Sequence, residues 1–143
     1  MMTARYALAA ALPRPALPAP PIIPALPTQA TLPAWHSLLE ERWQQRLSTL
    51  TELSLAYHDA AESCRGHPAG AAETARLKKL LRQATAARRA LGDTEDALAR
   101  LADGSFGRCA RCSGSIPTAE LLAEPETRYC TDCIAISWVA LAG

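Results

Sequence analysis

The sequence predicts an all-α fold: an antiparallel coiled-coil hairpin, then a small four-cysteine module and a short C-terminal helix. Three observations carry this reading. Two long stretches repeat apolar residues at heptad spacing, and two C-x2-C pairs lie near the end of the chain. Aromatic residues make up 5% of the sequence and the larger apolar residues are mostly Leu, a composition poor in strand formers. At 143 residues the chain has room for one domain of ordinary size. A Pro-rich start leaves only about 110 residues to fold, so the core must be small.

Residues 1–33 hold eight of the eleven prolines, interleaved with Ala and Leu. Proline at that density cannot sustain helical hydrogen bonds, and no apolar face is patterned through it, so the segment reads as a disordered, partly polyproline tail. The alternative is a docking peptide for a Pro-binding groove, although only proline density supports it. Arg5 and the short apolar run after it loosely resemble a secretion signal. Pro13 and Pro15 interrupt that run, however, and no small-residue cleavage site follows.

The hairpin is expected over 34–104. Trp43, Leu50 and Tyr57 fall seven apart, and Leu39, Leu53 and Ala60 fill most of the complementary positions, which makes one amphipathic helix to about Ser63. Gly66, Pro68 and Gly70 then predict a turn within 64–71. A second helix over 72–103 has the cleaner heptad, with Leu77, Ala84, Leu91 and Leu98 alternating with Leu80, Ala87, Thr94 and Leu101. Two helices of about 30 residues, each roughly 45 Å long, joined by a short turn should pack antiparallel. Ala84 and Ala87 would let them approach closely midway. Gly92 inside the second helix costs about 1 kcal/mol relative to Ala, and Asp103-Gly104 reads as the helix stop.

In the last segment, 105–143, Cys109, Cys112, Cys130 and Cys133 have the spacing C-x2-C-x17-C-x2-C. Each pair places two thiolates on one tight knuckle, and two knuckles supply the tetrahedral soft-ligand set that suits one structural zinc ion. With four protein ligands no position remains for an activated water, so hydrolytic chemistry is not expected and the chain is not read as an enzyme. An iron–sulfur cluster or a redox dithiol is the lesser alternative, since no βαβ pattern surrounds either pair. Metal-spaced cysteines also favour a reducing compartment, and the cytoplasm is the expected location. No apolar run approaches the roughly 20 residues that cross a bilayer, and the apolar C-terminus is about half that length. Trp138 and Val139 there are assigned to a short helix packed on the finger rather than to a membrane anchor.

The run "DALARLADGSFGRCARCSGSIPTAELLAEPETRYCTDC", residues 96–133, resembles the zinc-finger region of the DksA/TraR family of bacterial transcription regulators. The match rests on a helix ending in "DGSFG", the knuckle "CARC", "IP" shortly after it, "P-x-x-R-Y" and the knuckle "CTDC". With the coiled coil it spans about 100 residues and is architectural over the hairpin. The resemblance implies a protein that binds RNA polymerase by inserting its hairpin into the secondary channel, with the zinc finger as base. It implies no sequence-specific DNA binding.

In that family the tip carries an acidic D-x-x-D-x-A motif. Ungapped placement from Cys109 sets the motif on "GHPAGA", where only Ala71 agrees and the acidic positions fall on Gly66 and Ala69. Asp59 and Glu62 lie nearby and would serve if the first helix ended sooner; otherwise they are solvated charges at a helix end. Asp93, Glu124 and Ile134 stand where some members carry basic residues for ppGpp, so ppGpp binding is not expected.

The formal charge is +1, so electrostatic recognition has to come from local clusters. One exists. Arg76, Lys78, Lys79, Arg82, Arg88 and Arg89 occur on the second helix with no acid among them. Polymerase contact is the use the resemblance implies, with a solvated helix face or a phosphate backbone as alternatives, although no aromatic residue for base stacking lies in this stretch. Cys64 beside His58 and His67 lacks an orienting carboxylate and is not assigned a metal or catalytic role. The expectation is a monomeric, non-enzymatic polymerase-binding regulator. The alternative, from a different class, is a zinc-stapled coiled-coil adaptor that acts outside transcription.

Overall fold

The computed structural model describes residues 31–141, with side chains as far as Ile136. The Pro-rich segment through residue 30 and the packing of Trp138 and Val139 therefore lie outside the described residues. Four helices follow in order: α1 (Leu32–Ser63), α2 (Ala71–Asp103), α3 (Thr118–Ala123) and α4 (Thr131–Leu141). Among the described residues there is no strand, only an isolated antiparallel bridge between Arg108 and Ser115.

Helix α1 starts two residues ahead of the position the heptad suggests. Pro33 falls in its first turn, where the missing N–H would be unbonded in any case, and the Thr31 carbonyl accepts from the N–H groups of Ala34 and Trp35 at 3.1 and 3.2 Å. At the other end the chain turns through Gly66, whose φ of +85° is left-handed. Glu73 accepts from the Gly70 N–H at 2.9 Å and so caps the start of α2. The stop of α2 is built as the sequence suggested. Gly104 sits at φ +83°, the N–H groups of Ser105 and Phe106 return to the Arg100 carbonyl at 3.0 Å, and Asp103 accepts from the Ser105 hydroxyl and N–H.

The two long helices pair along their length. On α2, Leu77, Leu80, Ala84, Ala87, Leu91, Thr94, Leu98 and Leu101 are all buried or half-buried while most of the positions between them face solvent. On α1 the same holds for Leu39, Trp43, Leu50, Leu53, Tyr57 and Ala60. Two helices without a third layer shield only one stripe of each, so most of the arm's seam is half-buried.

The true core lies at the base. There Trp35, Leu39, Ala97 and Leu101 of the hairpin pack with Phe106, Ile116, Leu121, Cys109 and Cys133 of the finger. The Trp35 and Phe106 rings meet at 5.3 Å between centroids and 57° between planes, a tilted arrangement that favours the edge of one ring against the face of the other.

Candidate metal centre

The first knuckle is a tight backbone hairpin. Cys109 N–H donates to the Gly114 carbonyl at 2.8 Å, Ser113 N–H returns to the Cys109 carbonyl at 2.9 Å, and Ile116 N–H reaches the Gly107 carbonyl at 2.8 Å. Ser113 adopts a positive φ of 60° to complete the reversal. The second knuckle is built differently. Cys130 immediately precedes α4 and Cys133 lies in its first turn, where free N–H groups and the helix dipole favour negative charge. The Ala110 N–H to the Arg128 carbonyl, 2.8 Å, ties the two knuckles together.

These turns bring the four sulfurs within 4.8 Å of one another, and Cys112 Sγ lies 3.8 Å from Cys130 Sγ. That is far beyond a disulfide bond of about 2.05 Å. It agrees with the edge of a tetrahedron whose Zn–S bonds are about 2.3 Å, which is about 3.8 Å. The donor set therefore fits one zinc ion. Cys109 and Cys133 are buried, Cys130 is half-buried and Cys112 is exposed.

The sulfurs are also unequal in charge. Backbone hydrogen bonds from Cys112 and then Cys130 draw the Cys109 thiol down to about 6, while hydrogen bonding to Cys130, followed by desolvation, pushes Cys133 up to about 12. Cys109, Cys112, Cys130 and Cys133 would hold a divalent cation as thiolates, a form that the cation would itself favour. A bound zinc would supply a structural cross-link and no open coordination position.

Between the knuckles, residues 126–128 fasten the finger to both long helices. Glu126, 7% exposed, accepts at one carboxylate oxygen from Arg42 Nε at 2.9 Å, Arg46 Nη1 at 3.0 Å and the Thr94 hydroxyl at 3.2 Å. Its other oxygen, Oε2, is buried without a hydrogen-bond partner. Arg100 donates to the carbonyls of Glu126 and Thr127, both at 2.9 Å, and its pKa is lowered, chiefly by burial and then by Arg128. Arg128 in turn pairs with Asp96. Sequence reading missed this latch. One signal was available in the heptad: Arg46 occupies the inner position between Leu39 and Leu53, and a charge there calls for a buried partner.

The other residues singled out in the sequence are dispersed. Asp59 and Glu62 remain within α1, which runs to Ser63, and Glu62 is paired with Arg65 at 2.6 Å. Gly66, Ala69 and Ala71 are exposed at the tip end, distant in sequence from the knuckles. Arg76, Lys78, Lys79, Arg82, Arg88 and Arg89 are all exposed along α2. Asp93 and Glu124 are exposed as well, and Ile134 is 39% exposed on α4. No helix of the described residues is long and apolar enough to cross a membrane.

No family model and no curated protein matches the chain in sequence. Among solved structures the chain is similar to transcription factor DksA2 from Pseudomonas aeruginosa, with a TM-score of 0.72 at 20% identity over 80% of this chain and 88% of that one. The chain thus has the fold of that factor: a long two-helix arm on a small base. The likeness is one of fold, and the four clustered cysteines at the base of that fold could hold one zinc ion.

Proposed function

We propose that this protein is a non-enzymatic bacterial transcription regulator that binds RNA polymerase through its coiled-coil hairpin, in the secondary channel, with Cys109, Cys112, Cys130 and Cys133 holding a structural zinc at the base. The observation that carries the reading is the shared fold with a transcription factor over 80% of the chain, joined to a base whose four cysteines could hold one metal ion. The architecture suits the role. A helix pair about 45 Å long, at 1.5 Å per residue, is thin enough to enter a channel, and a zinc-clamped base gives it a fixed mount. The basic residues Arg76, Lys79, Arg82 and Arg89 face outward, where a partner can meet them.

Retention of core polymerase by the immobilised full-length protein tests the proposal; a protein that retains none, with or without residues 1–30, is not such a regulator. One observation favours a second reading, that of a protein-interaction adaptor outside transcription. The tip is neutral where the family's is acidic: Gly66 and Ala69 occupy the acidic positions, and the flanking carboxylates are engaged, Glu62 by Arg65 and Glu73 by the Gly70 N–H. Displacement of an established secondary-channel factor from polymerase separates the two readings, because an adaptor leaves that factor in place.

A further inference from the structure

We infer that residues 17–27 fold back along the base of the hairpin as a polyproline helix and seat Ile23 and Leu26 in the groove between the start of α1 and the end of α2. The inference goes beyond the polymerase-binding reading and does not depend on it.

The first observation is an open groove beside the core. A concavity of about 440 Å³ is lined by Leu32, Pro33 and His36 of α1 and by Leu98, Leu101 and Ala102 of α2, with Glu40 the last lining residue on α1. Leu32 and Leu98 pack against the core of the base yet are only half-buried, and Pro33, His36 and Ala102 are exposed. The finger covers Trp35 and Leu39 on the adjoining stripe of α1, whereas this groove lies open to solvent. An apolar surface so placed is stabilised by apolar side chains laid over it.

The second observation is the spacing of the segment that leads into α1. Pro15, Pro18, Pro21, Pro24 and Pro27 recur every third residue, and Leu17, Pro20, Ile23 and Leu26 follow the same period one position earlier. A polyproline helix has about three residues per turn, so this spacing gives it one edge of prolines and, beside it, one edge of larger apolar residues. At a rise of about 3.1 Å per residue, Ile23 and Leu26 stand about 9 Å apart on that edge. Leu32 and Glu40, at the two ends of the groove on α1, are separated by about 12 Å along the helix axis, which leaves room for both side chains. A polyproline helix leaves its carbonyls free of internal bonds, and a ring N–H of His36 on the groove wall can donate to one of them.

The third observation is connectivity. Leu26 precedes Leu32 by six residues, a span of about 20 Å at full extension, and Leu32 is itself a wall of the groove. A tether this short presents the segment to the groove at roughly millimolar effective concentration. Residues 15–30 contain no charged side chain, so nothing in them favours leaving Ile22, Ile23 and Leu26 in water. The charges of the segment do not oppose the contact: residues 1–30 hold Arg5 and Arg14 and no acid, while the groove carries Glu40. A second copy of the chain suits the groove less well, because its seven lining residues fall far short of the roughly 20–30 residues a side in a stable interface.

Nuclear magnetic resonance on methyl-labelled, zinc-loaded, full-length protein tests this. Wild type should show nuclear Overhauser contacts from Ile23 and Leu26 to Leu98, Leu101 and Ala102, and these should arise within one molecule when labelled and unlabelled copies are mixed. Ala102→Arg fills the groove at an exposed position in the last turn of α2, where a cation suits the helix dipole, and should abolish the contacts. A fluorescein-labelled peptide of residues 17–28 should bind Ile23→Ser/Leu26→Ser at least about tenfold more tightly than wild type, whose own segment competes for the groove. Circular dichroism and bound zinc check the fold of each variant. The serine substitutions lie outside the four helices, so the peptide measurement decides the matter even if Ala102→Arg does not fold. Absence of the contacts in wild type, or equal peptide binding by wild type and the serine variant, overturns the inference. Contacts found only between labelled and unlabelled molecules would assign the groove to a second copy and overturn it as well. Each of these failures leaves the polymerase reading as it stands, since that is measured by polymerase retention.

Discussion

Arg46 Nη1 lies 3.0 Å from Glu126 Oε1 and at the same time 2.5 Å from the Ala90 carbonyl and 2.6 Å from the Thr94 hydroxyl. One guanidinium from α1 therefore holds α2 and the finger together. Arg42 adds a second cation to the same carboxylate oxygen. The apolar core at the base joins finger to hairpin without direction, whereas these charge-assisted bonds set the angle between them.

Removing that carboxylate should be costly. Glu126→Ala leaves two guanidinium groups facing an empty site, and breaking a buried pair in this way costs about 3–5 kcal/mol. Arg42 and Arg46 keep 34% and 24% of their side-chain surface in solvent, which screens part of the loss, so the lower end of about 3 kcal/mol is expected. Glu126→Gln preserves shape and one acceptor oxygen and should lose about 1–2 kcal/mol. Urea denaturation of the zinc-loaded variants measures both, and equal stability of Glu126→Ala and wild type would show that the latch contributes nothing.

Zinc removal should be visible from α1. Cys109 and Cys133 belong to the same buried cluster as Trp35, which meets Phe106 directly. Chelation, or Cys133→Ser, should loosen the finger, expose Trp35 and shift tryptophan emission to the red. The shift should be absent in Trp35→Phe, which separates this ring from Trp43 and Trp138. Helical circular dichroism should fall only in part, because the hairpin seam contains none of the four cysteines. Native mass spectrometry should find one zinc per chain before chelation and none after.

Gly92 offers a test in the opposite direction. It lies inside α2, its φ is not left-handed, and a Cβ built there meets nothing within 4 Å. Gly92→Ala should therefore stabilise the protein by about 0.5–1 kcal/mol through helix propensity alone. Thermal unfolding should rise by a few degrees, on the order of 4 °C or more per kcal/mol for a folded unit of this size. A fall in melting temperature would mean that α2 needs the glycine for a bend or a close approach.

How far the sequence discloses these features depends on the range of the forces behind them. The heptad in α2 was legible because every inner position from Leu77 to Leu101 follows one local period, and the structure protects all eight. The knuckles were legible because both C-x2-C turns are local and the metal chemistry leaves few alternatives. The latch was not, since Glu126 is drawn to Arg42 and Arg46 by a fold that must already exist, and nothing in "PETR" distinguishes its carboxylate from a solvated one. Concentration of the core at the base was hidden for a related reason. The periodic pattern on α2 continues unchanged from the two-helix arm to the three-layered base, and only the finger's position decides which part is fully buried.

The tip carries the last prediction, which depends on the polymerase reading. Gly66, at the first acidic position of the family motif, has φ +85°, so an Asp there would take a left-handed backbone at a cost of about 1 kcal/mol. Ala69, at the second position, is exposed and has no positive φ, so Ala69→Asp should change stability by less than about 0.5 kcal/mol. The neutral tip is thus partly written into the backbone of the turn. Wild type should occupy the polymerase channel and displace an acidic-tipped factor while leaving open-complex lifetime nearly unchanged. Ala69→Asp restores one negative charge without distorting the turn, so it should compete as well as wild type and shorten or lengthen that lifetime measurably. Gly66→Asp should show the stability loss in denaturation. If wild type alters lifetime as strongly as the acidic-tipped factor, the charges at the tip are not what regulation requires, and the contact has to be sought elsewhere on the arm.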